Sequence, residues 1–332
     1  MSVRFFSRLV SLLLRVIARA IRILPGFAAH RLGQAMGLLG FAIGRKHRRL
    51  ALHNLRLAYG EEKTEAERRT IALKSFMNMG QNFIDFCRMQ SLLRKDPRSF
   101  IEMEGFDNIE KALAQGKGAI LLTGHLGSWE LMAAAYAHLG LPVTAIVSSI
   151  GDPAVDQFMN TMRESCGYET LPKRDATQGV ASRLRQNILV GILADQSPRN
   201  DGVPVEFFGR TAGATRGPAV FALRSGSPVI PAFAIRLEDP TKHKFIVEKP
   251  LELIRTGNIS EDIARNTQLF QSVIERYVRR YPEQWLWMQK RWKIRSYLKR
   301  KLEKSQCHES PPSTGGRQDS LSGGARPTRR PC

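Results

Sequence analysis

The sequence predicts an α/β fold in which a mostly parallel central sheet is flanked by helices, preceded by a helical N-terminal region. Three observations predict it. From residue 100 onward short apolar runs alternate with helix-patterned segments; residues 26–100 carry apolar residues at helical spacing; and residues 1–25 combine a basic stripe with a broad apolar surface. The 332 residues are 42% hydrophobic, enough chain to bury a sizeable core as one large domain or two small ones. Gly 27, Pro 17 and four Cys exclude collagen-like, fully disordered and disulfide-scaffold classes. The longest uncharged stretch, Leu131 to Gly151, is broken by Gly140-Leu141-Pro142, so a polytopic membrane protein is excluded as well. A formal net charge of +21 calls for a polyanionic partner: nucleic acid, anionic lipid, a phosphorylated substrate or an acidic protein.

At the start of the chain, Arg4, Arg8, Arg15, Arg19 and Arg22 fall within an arc of about 60° on a helix, and Pro25-Gly26 ends it. The charge-free run Leu9–Leu14 is too short for a signal peptide, and a spanning helix would carry arginines through hydrocarbon. A helix in the membrane interface, arginines toward lipid phosphates, satisfies every residue; packing on the protein's own core is the competing reading. Residues 1–25 are therefore an expected interfacial anchor on the cytoplasmic face, and 26–303 the folded domain. From Lys304 onward Leu321 is the only large aliphatic, so 304–332 is an expected disordered tail. Cys87, Cys166, Cys307 and Cys332 form no CxxC pair and read as free thiols; no metal site and no cofactor is expected.

Within the domain, 118–124, 142–148, 187–195, 227–236 and 244–250 read as strands. Segments 128–139, 153–166, 174–186, 213–225 and 259–280 read as the helices between them. In such sheets ligands bind beyond the carboxyl ends of the strands, which directs attention to the loops there.

The most informative loop is Thr123-Gly124-His125-Leu126-Gly127-Ser128-Trp129-Glu130, a strand running into a helix. His125 lies between two glycines that permit close backbone approach. In a regular helix an offset of five places two residues about 140° apart, but a strand-to-helix turn can fold Glu130 back onto the imidazole. His125 as general base with Glu130 fixing its tautomer is the chemical expectation; a locally satisfied His beside a first-turn Glu is the bland one.

The segment TGHLGSWE resembles the H-x4-D/E signature of the glycerolipid acyltransferase superfamily, and residues 24 to 300 are similar to the bacterial lipid A late acyltransferases (the lauroyl/myristoyl transferase family). The matching blocks are LPGFAAHRLG (24–33), ALHNLRLAYG (51–60), GHLGSWEL (124–131), MRESCGYE (162–169), ILADQSP (192–198), 205–231 and YPEQWLWMQKRWK (281–293). Phosphatidic-acid-forming members typically carry Asp as the acid and a Glu-Gly-Thr-Arg block; this chain has Glu130, and Asp195-Gln196 followed by Phe207-Phe208-Gly209-Arg210, which favours the lipid A branch.

The resemblance implies a glycerolipid-acyltransferase-like sheet on which His125 deprotonates a hydroxyl of a lipid A precursor and the alkoxide attacks an acyl thioester, acyl-ACP or acyl-CoA. No covalent acyl-enzyme is required. Backbone N–H groups at Gly127 and Ser128 are candidate oxyanion donors. Arg163 matches a basic position of the family, Asp195 and Gln196 end a buried-type strand, and Arg210 and Arg216 flank Gly-rich turns; all five are candidate substrate-binding residues. Trp285, Trp287 and Trp292 interleave with Lys290, Arg291, Lys293 and Arg295, a pattern suited to an anionic membrane surface or to single-stranded nucleic acid. The expected setting is the anionic inner membrane, without nucleic acid. Two rivals stay open: an acyl-CoA-dependent transferase acting on a phosphatidylinositol mannoside or an amino-acid lipid, and a non-catalytic basic binding protein, which would leave the His125 loop without a purpose.

Overall fold

The structure, a computed structural model, describes residues 3–198 and 201–293. Four helices come first: α1 (Val3–Ile23), α2 (Gly26–Ile43), α3 (Arg45–Tyr59) and α4 (Glu65–Leu92). There follow β1 (Ile101–Glu104), α5 (Asp107–Leu113), β2 (Ala119–Thr123), α6 (Trp129–His138), β3 (Val143–Val147), α7 (Pro153–Glu164), β4 (Glu169–Pro172), α8 (Ala176–Arg185) and β5 (Leu189–Leu193). A hairpin, β6 (Val203–Phe207) and β7 (Arg210–Ala214), leads into α9 (Gly217–Ser225), β8 (Val229–Arg236), β9 (His243–Val247) and α10 (Ile259–Arg280). The tail expected over 304–332 lies outside the described residues.

Seven strands form one sheet in the order β1-β9-β8-β2-β5-β3-β4, with every neighbouring pair parallel except β8 and β9. Central strands read as uninterrupted apolar runs because both faces are covered. In β2, Ile120 and Leu122 enter one core cluster while Ala119 and Leu121 enter the other. All five expected strands are present. β1, β4 and the hairpin were not expected, and 213–225 begins as strand rather than helix because Arg210–Ala214 pairs with Val203–Phe207. The hairpin turn needs two consecutive residues at positive φ, supplied by Phe208 (54°) and Gly209 (65°). An aromatic at such a position carries no turn signal; packing against Tyr59 and Trp287 holds it there.

The helical region forms the floor on which the site rests. α4 starts at a capping box, in which the Glu67 N–H donates to Thr64 Oγ1 (3.2 Å) and the Thr64 N–H to Glu67 Oε2 (2.7 Å). α2 crosses α4 at glycines: a Cβ on Gly80 would stand 2.0 Å from the Gly33 carbonyl oxygen. α1 buries Ala18 and Ile21 and turns Arg22 inward, where Nε donates to the Cys87 carbonyl (2.9 Å). Arg22 thus departs from the expected lipid-facing stripe. The opposite side leaves Leu12, Leu13, Val16 and Ile23 exposed, as α2 does Phe27, Leu39 and Ile43. No helix among the described residues is long and apolar enough to cross a membrane.

Candidate active site

β2 and β5 are hydrogen-bonded neighbours in the register Thr123↔Leu193. Two residues beyond each strand end, the same register brings His125 and Asp195 together. The imidazole Nδ1 stands 2.8 Å from Asp195 Oδ1, and the His125 backbone N–H donates to Oδ2 at 2.9 Å. Asp195 is fully buried. Its Oδ2 also accepts from the Trp285 indole N–H (2.8 Å) and from Gln289 Nε2 (3.3 Å). Burial alone would raise this carboxyl; the adjacent His125 ring and the donated hydrogen bonds outweigh it and bring the pKa down to about 2. The outer nitrogen of the imidazole, Nε2, has Gln196 Nε2 at 3.4 Å, and Trp129 meets the ring edge to face at 5.0 Å.

Glu130 does not orient His125, which corrects the expectation. It is the second residue of α6 and points toward α7 and the start of β4, not back across the turn. There Arg163 grips it through Nη2 (2.6 Å to Oε1) and Nε (3.0 Å to Oε2), and the Tyr168 hydroxyl donates to Oε2 (2.9 Å). Arg163 is accordingly committed to Glu130 rather than open to a ligand phosphate.

The turn itself is pinned on every side. The Gly127 N–H donates to the Gln284 carbonyl (3.0 Å) and the Ser128 N–H to the Ala234 carbonyl (2.9 Å), so both expected oxyanion donors are already engaged. Gly127 is at φ +58°, and a Cβ there would lie 1.6 Å from the Ala234 oxygen, so the position admits glycine only. The Leu286 N–H donates to the His125 carbonyl (3.0 Å). Beneath the turn, Ser128 Oγ donates to Asp85 Oδ2 (3.0 Å) and Asn82 Nδ2 to the Gly127 carbonyl (2.6 Å). Asp85 is itself bound by Arg236 Nη2 (2.7 Å), with His243 Nε2 3.2 Å from both Asp85 Oδ2 and Arg236 Nη1.

Residues 281–292 therefore act as a strap over the site, not as a membrane or nucleic-acid surface. Trp285 and Trp287 are fully buried and meet edge to face at 4.7 Å. Arg291 is buried too, donating to the Gly213 carbonyl (2.6 Å) and Gln271 Oε1 (2.7 Å) with its guanidinium over the Phe207 ring. Arg295 lies outside the described residues. Arg210 is turned away toward α3, its Nε donating to the Leu57 carbonyl (2.6 Å). Arg216 pairs with Asp201 (2.8 Å).

Gln196, Thr215 and Asp201 line a cleft of about 980 Å³ that opens beyond the carboxyl ends of β3, β4 and β5. Sequence reasoning singled out His125, Asp195 and Gln196 but not their mutual geometry. It missed Gln289, Tyr168, Asp85 and Arg236 altogether, and placed Trp285 on a ligand surface rather than against Asp195. The signal for the His125–Asp195 pair was the equal position of the two residues past their strands, readable only once β2 and β5 are known to be adjacent.

A buried carboxylate, an imidazole held by it and an open cleft beyond a parallel sheet together make a candidate active site. The chain belongs to the bacterial lipid A biosynthesis acyltransferase family, which it matches over residues 2–294. It is 25% identical over 271 residues to a lipid A biosynthesis acyltransferase of Haemophilus influenzae, covering 80% of this chain and 83% of that one. To the lipid A biosynthesis lauroyltransferase of Escherichia coli it is 23% identical over 274 residues, 82% and 87% of the two chains. A phosphatidylinositol mannoside acyltransferase of Mycobacterium tuberculosis is 27% identical over 192 residues, 57% of this chain and 58% of the relative, so the match spans less than two thirds of that relative's length.

Proposed function

We propose that the protein transfers a fatty acyl chain from an acyl-ACP thioester to a hydroxyl of a lipid A precursor at the cytoplasmic face of the inner membrane. The observation that carries this reading is the 2.8 Å contact between His125 Nδ1 and the buried Asp195, with Nε2 directed toward the cleft side at Gln196. Nδ1–H donates to Asp195, so Nε2 carries the lone pair. Nε2 takes the hydroxyl proton as the oxygen bonds to the thioester carbonyl carbon. The tetrahedral intermediate then collapses, the C–S bond breaks, and the imidazolium returns the proton to the departing thiolate. Asp195 stabilises the transient imidazolium, and Gln196 orients the reacting groups.

An acidic carrier protein complements the net charge of +21. The exposed apolar side chains of α1 and α2, beside exposed Arg15, Arg19 and Arg31, support docking in the interface of an anionic membrane. The second reading, an acyl-CoA-dependent transfer to a phosphatidylinositol mannoside, is supported by the mycobacterial relative.

Both are tested by incubating the full chain with acyl-ACP or acyl-CoA and with a tetra-acylated disaccharide precursor or a phosphatidylinositol mannoside, products being read by mass spectrometry. Product from the first pair, lost in His125→Ala, is expected. Product only from the second pair selects the alternative; an unchanged rate in His125→Ala overturns the mechanism.

A further inference from the structure

We propose that the cleft beside His125 is a binding site for a phosphate ester, held by Lys173, Arg174 and Lys290, which line it. The three cations come from separate parts of the chain. Lys173 and Arg174 directly follow the edge strand β4, whereas Lys290 follows Gln289, which bonds Asp195. All three line the same concavity of about 980 Å³, and one side of that concavity is Gln196, the neighbour of the reactive imidazole nitrogen. The volume exceeds what a single phosphate group fills and suits a phosphate carried on a sugar or a pantetheine arm.

Charge decides the class of ligand. Among the described residues no carboxylate pairs with Lys173 or Lys290, and Arg174 has only its exposed neighbour Asp175, at 3.5 Å. The two carboxylates in the lining are already engaged. Asp156 accepts from the Ser149 hydroxyl and from the Ile150 N–H (2.8 Å), and Asp201 pairs with Arg216. Asp201 is offset by Arg216, and Asp156, hydrogen-bonded but still ionised, offsets one charge, so the three cations leave the concavity with a net positive field that low-dielectric walls focus on whatever enters. Three cations around one hollow repel one another until an anion arrives; a phosphate ester relieves that repulsion and takes charge-assisted hydrogen bonds from the cations it reaches.

Two substrates of the proposed reaction can supply that group: a phosphorylated glycolipid acceptor, or the phosphodiester of a phosphopantetheine donor. The proposal rests on the acyl-transfer reading only for the identity of these two sources. The test uses the full chain and the variants Lys173→Gln, Arg174→Gln and Lys290→Gln, singly and combined. KM is measured for an acceptor with and without its phosphate, and for acyl-phosphopantetheine against an acyl-N-acetylcysteamine thioester that lacks the phosphate. The triple variant is expected to raise KM about tenfold or more for one phosphorylated substrate while its phosphate-free counterpart is unaffected and kcat moves less than about twofold. A rise for the acceptor assigns the site to the glycolipid phosphate, and a rise for the donor assigns it to the pantetheine arm; each supports a phosphate-ester site. KM values that stay level across all four substrates overturn it. Calorimetric titration with glucosamine 1-phosphate and with phosphopantetheine needs no turnover, so a failed acyl-transfer reading leaves this arm intact. Binding of either probe that weakens about tenfold in the triple variant is expected; no binding of either overturns the proposal.

Discussion

Two fully buried carboxylates hold the turn around His125, and they are compensated in opposite ways. Asp85, beneath the turn, faces the guanidinium of Arg236, a permanent cation. Burial works to raise its carboxyl, but Arg236 first and His243 second hold it far below the ordinary carboxylate range. Asp195, beside the turn, has no guanidinium partner among the described residues: its contacts are the His125 ring and backbone, the Trp285 indole and the Gln289 amide. A carboxylate already neutralised by arginine has little left to offer a proton-transfer step. One flanked by neutral donors and a titratable ring gains a partner each time that ring takes a proton. Glu130, locked to Arg163, falls with Asp85 in this respect, and that is the physical reason it is not the residue that holds the His125 ring.

The contrast can be broken most directly at the catalytic side. His125→Ala and Asp195→Asn should each lower kcat about 10³-fold or more with the fold retained. The double variant should be no slower than His125→Ala, because the two act as a unit. Steady-state kinetics with far-UV circular dichroism checks both points. At the structural side, Arg236→Met leaves Asp85 buried without its guanidinium and should cost about 3–5 kcal/mol of stability in urea unfolding. A loss in activity larger than the loss of folded protein would erase the distinction drawn here.

Trp285→Phe is a smaller, sharper probe. It keeps the aromatic packing but removes one donor to a charged acceptor, an effect of about 1.5–3 kcal/mol. kcat should fall about ten- to a hundredfold, and the acidic limb of the pH–rate profile should move to higher pH as the Asp195 carboxyl rises. An unchanged profile would make Trp285 a packing residue only.

The least effect concerns His30, near Asp85 at 3.7 Å. Burial, opposed by Asp85 but reinforced by Arg236, brings its pKa from 6.5 down to about 4. Between those values the unfolded chain binds a proton that the folded chain refuses, so stability rises with pH across that window and falls as pH drops through it. Unfolding free energy should decline by about 2 kcal/mol from pH 7 to pH 5 on this account, and His30→Gln should flatten the slope.

Much of the fold could be read in the residues because parallel strands covered on both faces are continuous apolar runs, as 118–124 and 187–195 are. The short edge strand Glu169–Pro172 and the hairpin around Phe208-Gly209 could not, since an edge strand is half polar and the turn is enforced by aromatic packing from distant segments. His125 stood out through its glycines, and Asp195 through its strand end. Their partnership depends on β5 inserting between β2 and β3, which no local pattern encodes. The indoles misled for a related reason: Trp among cations reads as a wet surface until the strap folds it under Phe207, Phe208 and Tyr59.

That strap has a bearing on how the protein is made. Synthesis proceeds from the N terminus, so helices, sheet and imidazole all leave the ribosome before Gln284, Trp285 and Gln289 do. Until those three arrive, the Gly127 amide lacks its acceptor and Asp195 lacks two of its donors. A chain ending near residue 280 would own the sheet, His125 and Asp195, yet not the contacts that close over them, so the turn and Asp195 gain their full set of hydrogen bonds only once residue 289 has joined the fold.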